Sequence, residues 1–205
     1  MSHLLDTIRE RRSVRKYLAR TVPQEAIEEV LVAAGWAPSA HNAQPWRFIV
    51  LSEAHLKLEL AEAMANSWIK DMAKDGLTLE ADRRKASVER FSNAPVLIVA
   101  CLSMEGMRKY PDEKRQGSER DLAMQSLGAA IQNLLLAAHA DGLGACWFSA
   151  PGFCKETVRK VLKVPEAVEP QAIIVMGYPD EKAPVPSRKL LRDYCFLDDW
   201  GQTVP

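Results

Sequence analysis

The chain has 205 residues, 47% hydrophobic and 26% charged, enough for one globular domain with a sizeable core. Its 27 basic and 27 acidic side chains cancel, so no overall field draws it to nucleic acid or to an anionic membrane. No apolar stretch is long enough to span a bilayer, and the N-terminus lacks the apolar run of a secretory signal.

A cytoplasmic setting is therefore expected. The 4 cysteines form no CxxC pair and read as small buried hydrophobes. The 4 histidines are widely spaced, so no metal set is expected.

Residues 4–11 form the first expected helix, with Leu4, Leu5 and Ile8 on one face. Thr21 and Gln24 suggest a capping box with Pro23 in the first turn. Ile27, Val30, Leu31 and Ala34 then give a helical stripe that stops near Gly35. Residues 48–51 read as a strand, and Ser52 as the cap of a helix carrying Leu56, Leu60 and Met64. Residues 66–93 are less regular, with a basic helical stretch around Arg83-Arg84-Lys85.

The β-branched run 96–101 is a second strand, and the charged residues 103–119 read as a loop. The longest helix is expected over 119–140, apolar on nearly every side from Leu127 on, which suits the centre of a domain or of a dimer. Gly142 ends it. A strand (145–148), a helix (155–162) and a strand (172–176) follow. Alternation of this kind implies an α/β or α+β fold. After Gly177 three prolines break regular structure, yet Tyr194, Phe196 and Trp200 follow. This arm, 178–205, is expected to pack on something, and a partner subunit is the candidate.

Two segments carry chemistry. Arg11, Arg12, Ser13 and Arg15 offer guanidinium forks and a hydroxyl that suit a phosphate; a solvated basic helix end would look the same. Ser39, His41, Asn42 and Gln44 lie in Pro38-Ser39-Ala40-His41-Asn42-Ala43-Gln44-Pro45-Trp46, between a helix and a strand. Their mixed donors and acceptors suit a flat heterocycle, or a turn that satisfies its own backbone. His41 has no carboxylate neighbour in sequence, and no catalytic acid or base is assigned. Gly142 and Gly144 follow a helix, so they fail as a dinucleotide fingerprint.

In order and spacing, Arg11-Arg12-Ser13-Val14-Arg15, the 38–48 segment, the 130–147 helix and strand, and Gly177-Tyr178-Pro179 with Pro186-Ser187-Arg188 resemble the FMN-dependent nitroreductase family. The resemblance implies an α+β sandwich with a mostly antiparallel sheet, a single domain over 1–205, and an intertwined homodimer. It also implies two FMN sites at the interface and NADH or NADPH as electron donor in a ping-pong cycle.

By resemblance Arg11, Ser13 and Arg188 hold the FMN phosphate, Arg12 lies beside the ribityl chain and phosphate, and Arg15 lies near the pyrimidine carbonyl. Ser39, His41 and Asn42, with Gln44 at the end of the loop, reach FMN across the interface. Ala150 and Gly152 present backbone to the ring, and Pro151 stands where many members carry an acid. The expected acceptor is a nitro, quinone, enone or deazaflavin-type small molecule. Alternatives are a flavin- or deazaflavin-binding protein without turnover and a dehalogenase-like relative. Residues 67–72, 93–95 and 110–115 further resemble the reductase domain associated with a deazaflavin-coenzyme ligase, where the region of Asp71 lies near the substrate.

Overall fold

The segment most uniformly buried in the chain organises the sheet. β2 (Val96–Ser103) is buried at all its positions. Val96, Ile98, Ala100 and Leu102 face one core, while Leu97, Val99 and Cys101 face another, as a strand covered on both faces requires. It pairs antiparallel with β1 (Trp46–Leu51) and β4 (Val168–Gly177), and β4 pairs antiparallel with β3 (Gly144–Phe148). The order is β1-β2-β4-β3, in a computed structural model that describes residues 3–204.

One face of the sheet is covered by α2 (Gln24–Gly35) and α5 (Glu113–Ala140), through Ile27, Val30, Leu127, Ile131 and Leu134. The other is covered by α3 (Ala54–Lys74), α4 (Ala81–Ser92) and α6 (Lys155–Leu162), through Leu60, Met64, Phe91 and Val158. The result is the expected α+β sandwich, with its four strands wholly antiparallel. α1 (His3–Glu10) buries no residue of its own.

Several local expectations change. Pro23 is the N-cap residue of α2 rather than part of its first turn, and no side chain caps that helix. Glu53, not Ser52, stands at the N-cap of α3. Residues 66–93 are mostly helical, because α3 runs to Lys74 and α4 starts at Ala81. α5 begins at Glu113, six residues before the expected start at 119, where Asp112 accepts a hydrogen bond from the Arg115 backbone N–H. An Asp cap starts a helix whatever the polarity of its first turns, so charge density misleads there.

Glu169, at the start of β4, ties three elements together. Its Oε2 accepts from Arg120 of α5 at 2.8 Å and from Lys155 of α6 at 2.7 Å. Burial raises its pKa, but the hydrogen bonds and charges of Lys155 and Arg120 outweigh that and bring it down to about 2, from an ordinary 4.5. A carboxyl depressed by folding stabilises the protein above its ordinary value, and that contribution fades as pH falls through the folded value. Glu169→Gln is expected to cost about 1–2 kcal/mol near neutral pH, the worth of a charged hydrogen-bonded pair with partial solvent access. Denaturant titrations should show the gap between wild type and variant closing between about pH 4.5 and 2.

Candidate functional site

The segment carrying Arg11 to Arg15 is held against the start of β3. Ser13 bridges Ala145 in parallel register, and the Val14 N–H donates to the Ala145 carbonyl at 3.1 Å. Val14 sits directly over Gly144, where a Cβ would fall 2.7 Å from the valine Cβ. The Tyr17 hydroxyl reaches the Val14 and Val175 carbonyls, which fixes the same segment to β4. Glu181 accepts from the backbone N–H groups of Arg15 and Lys16.

The guanidinium groups of Arg11, Arg12 and Arg15 make no ion pair among the described residues, and Arg12 Nε is buried without a hydrogen-bond partner. Such donors at a strand edge suit an anion.

β3 then runs like a rail from this cationic end to the turn Ala150–Phe153. Ala145 and Ala150 lie roughly 16 Å apart along an extended chain. Pro151 is buried and Gly152 is exposed. The turn divides two cavities: Ser149 and Phe153 line both. One, about 570 Å³, opens toward α3 and α4, with Trp68, Asp71, Met72, Arg90 and Phe148 on its walls. The other, about 330 Å³, lies against α5 and Trp147.

The larger cavity has the volume of a small-molecule site, walled mostly by apolar side chains. Its walls come from residues 64–75, α4 and residues 148–154. Asp71 is on the wall, half-buried, with Lys74 bonded to its carboxylate at 2.7 Å.

The loop of residues 39–44 stands elsewhere. Ser39 Oγ accepts from the Gln44 N–H at 3.1 Å, and the Ala40 N–H donates to Ser126 Oγ of α5. Gln44 Nε2 donates to Asn42 Oδ1 at 3.4 Å. His41, Asn42 and Gln44 have φ of 57°, 52° and 46°, a left-handed conformation that costs free energy for side chains with a Cβ and often marks a functional loop. His41 does have a carboxylate neighbour. Its Nε2 lies 3.2 Å from Oε1 of Glu119, which is only 4% exposed and also accepts from the Arg108 N–H. The pair spans 78 positions, so no local motif announces it; the signal was a glutamate in register with the buried stripe Ala123, Ser126 and Ala130.

Within one chain the two sets do not meet. The loop enters β1 at Trp46, opposite Leu102, whereas Ala145 is in register with Met176 and, through it, Val96. These positions differ by roughly 20 Å along the strands and roughly 14 Å across them, from standard strand dimensions. They occupy opposite corners of the sheet. Arg188 lies in the C-terminal segment, where its guanidinium donates to the neighbouring Ser187 carbonyl at 3.2 Å.

Comparison with known proteins gives a consistent picture. Residues 8–178 match the model of the nitroreductase family. A protein of Methanothermobacter thermautotrophicus, assigned as an NADH dehydrogenase/NAD(P)H nitroreductase, is 33% identical over 180 residues, covering 87% of this chain and 78% of that protein. Among solved structures, a protein assigned as a nitroreductase from Desulfovibrio desulfuricans, in complex with FMN, is 30% identical with a TM-score of 0.74, covering 98% and 99% of the two chains. A BluB-like flavoprotein from Clostridium difficile superposes with a TM-score of 0.81 at 26% identity, covering 97% of this chain and 100% of that one.

Proposed function

Because this chain belongs to the nitroreductase family of NAD(P)H oxidoreductases, we propose that it binds FMN and passes electrons from NADH or NADPH to a small-molecule acceptor in a ping-pong cycle. The observation that favours this most is the β3 edge, with guanidinium groups that have no carboxylate partner at one end and an aromatic-walled cavity beyond the other. A phosphorylated ring cofactor has that polarity, and the buried Arg12 Nε without a partner fits its phosphate or ribityl oxygens. Bound FMN would supply the hydride chemistry.

The chain's residues bind and orient. Arg11, Arg12 and Ser13, with Arg188 from the C-terminal segment, would hold the phosphate, and Arg15 the ring's pyrimidine end. Ala150 and Gly152 would present backbone to the ring. Ser39, His41, Asn42 and Gln44 would come from a second copy, since they stand at the far corner of the sheet in their own.

A homodimer is supported by apolar surface that one chain leaves uncovered. Leu4, Leu5 and Ile8 of α1, Trp36 beyond α2, and Tyr194 and Trp200 in the 178–205 arm are all exposed. The acceptor would enter the cavity beside Trp68 and Asp71. Nitro, quinone, enone and deazaflavin-type compounds are the classes to screen, the last for the likeness at residues 67–72, whose Ser67, Trp68, Asp71 and Met72 line the cavity. Residues 110–115, another part of that likeness, instead build the start of α5, with Arg115 over the Tyr110 ring.

The test is the visible spectrum of the purified protein and the identity of any flavin released on denaturation. FMN near one per chain supports the proposal; a colourless protein that cannot be reconstituted overturns it. Arg188→Ala is expected to weaken FMN binding about 10- to 100-fold, the loss of one charge-assisted hydrogen bond. Unchanged retention on dialysis would reject that role.

A further inference from the structure

Among the described residues, Arg47, Arg84, Arg115, Arg120 and Arg159 each reach a carboxylate. The arginines around β3 do not, and one of these comes from outside the 11–15 segment. Arg90, near the end of α4, borders the larger cavity, and its guanidinium carbon lies 5.4 Å from the centroid of the Phe148 ring. Arg15 lies 6.0 Å from the same ring. Glu181, which accepts from the Arg15 backbone N–H, makes no ion pair with either guanidinium. The Phe148 ring is thus where these two guanidinium groups converge; burial raises the pKa of the Cys146 thiol, and Arg15, Ser13, Arg11 and Arg90 act against it.

Like charges that converge without a counter-ion form a local positive field, in a chain whose overall charge is balanced. Each arginine gains only a modest cation–π attraction from Phe148. An anion at the Phe148 wall would relieve the repulsion between them. Ser149 and Ala150 border the same cavity, which sets this wall next to the backbone assigned to the flavin ring.

We infer that Arg90 faces the cofactor and, with Arg15, holds the negative charge that the flavin ring takes on when reduced, raising the cofactor's reduction potential. This rests on the FMN reading above. In the balanced step, a hydride from NADH or NADPH brings two electrons and one proton to the oxidised ring. NAD⁺ or NADP⁺ leaves, and the ring is left with one net negative charge. Arg90 stabilises the product of that step more than the reactant.

The experiment is the midpoint potential of FMN-loaded wild type, Arg90→Ala, Arg90→Gln and Arg90→Lys, measured by equilibration with a reference dye. Loss of the charge should reduce the preference for reduced over oxidised FMN about tenfold, a fall of about 30 mV for a two-electron couple. Arg90→Lys should restore most of it. Where a variant retains FMN poorly, the ratio of its dissociation constants for oxidised and reduced FMN carries the same comparison. A potential unchanged in both Arg90→Ala and Arg90→Gln overturns the inference while leaving FMN binding intact. An unchanged potential with a raised KM for anionic acceptors overturns it too, and gives Arg90 to the acceptor instead. Failure of the FMN reading would be evident in the wild type, as absence of bound flavin.

Discussion

A Gly144→Ala variant is expected to lose about 1–3 kcal/mol of stability, the cost of overpacking a buried site, and with it most of its FMN. The added methyl would sit 2.7, 2.8 and 2.9 Å from the Cβ, Cγ1 and Cγ2 atoms of Val14. Valine cannot swing all three aside, because its branch is at Cβ and its χ1 is stiff. The backbone at Val14 must therefore move, and Ser13 and Arg15 move with it. That breaks the register in which Ser13 bridges Ala145 and the Val14 N–H donates to the Ala145 carbonyl.

Donors displaced by about 1 Å lose much of a geometry-dependent interaction, and roughly a tenfold or greater fall in FMN affinity follows. Thermal midpoints and FMN stoichiometry measure the two effects. The double variant Gly144→Ala with Val14→Ala recovers space and should recover flavin. Full FMN retention in the single variant would disconnect the 11–15 segment from the cofactor.

Position 144 also indicates what the sequence can and cannot reveal. Gly142 was legible as a helix terminator, and its φ of 74° fits that role. Gly144 looked like part of the same signal, but it is there because Val14, 130 positions away, needs the space. The strands were legible because residues 96–101 and 172–176 are short, apolar without interruption and rich in β-branched residues, which suits a strand covered on both faces.

Their order was not, because β1-β2-β4-β3 is set by which faces meet and not by any one segment. The chemical character of residues 11–15 and 39–44 could be read from side-chain types alone. That they stand at opposite corners of one sheet could not, and Arg90 and Glu119 escaped notice because their partners, Phe148 and His41, are distant in sequence.

Trp36→Glu should convert a dimer into a folded monomer that has lost its FMN. Trp36 follows the last residue of α2 and is 82% exposed; Val32, one turn back, is 60% exposed. A tryptophan bare to this degree carries a large apolar area that a second copy would bury. α1 adds to the case: eight residues long, it is too short to be stable alone in water, it buries no residue in its own chain, and its Leu4, Leu5 and Ile8 point outward. Trp36 stands three residues before Ser39, so a partner that covers it also meets the 39–44 loop. The same contact would carry that loop to the β3 edge of the other copy.

An aromatic anchor of this kind is worth about 2–4 kcal/mol to an interface. Replacing it by a carboxylate should shift the sedimentation coefficient to that of a monomer while circular dichroism stays native, and the flavin absorbance should go with the dimer. A charge at Ala130 would be a poor substitute, since that residue is wholly buried among Leu127, Ile131 and Leu134 of its own chain and would test folding instead. A monomer that keeps its FMN would exclude a site shared between two copies; a dimer that survives Trp36→Glu with its flavin would put the interface on another face.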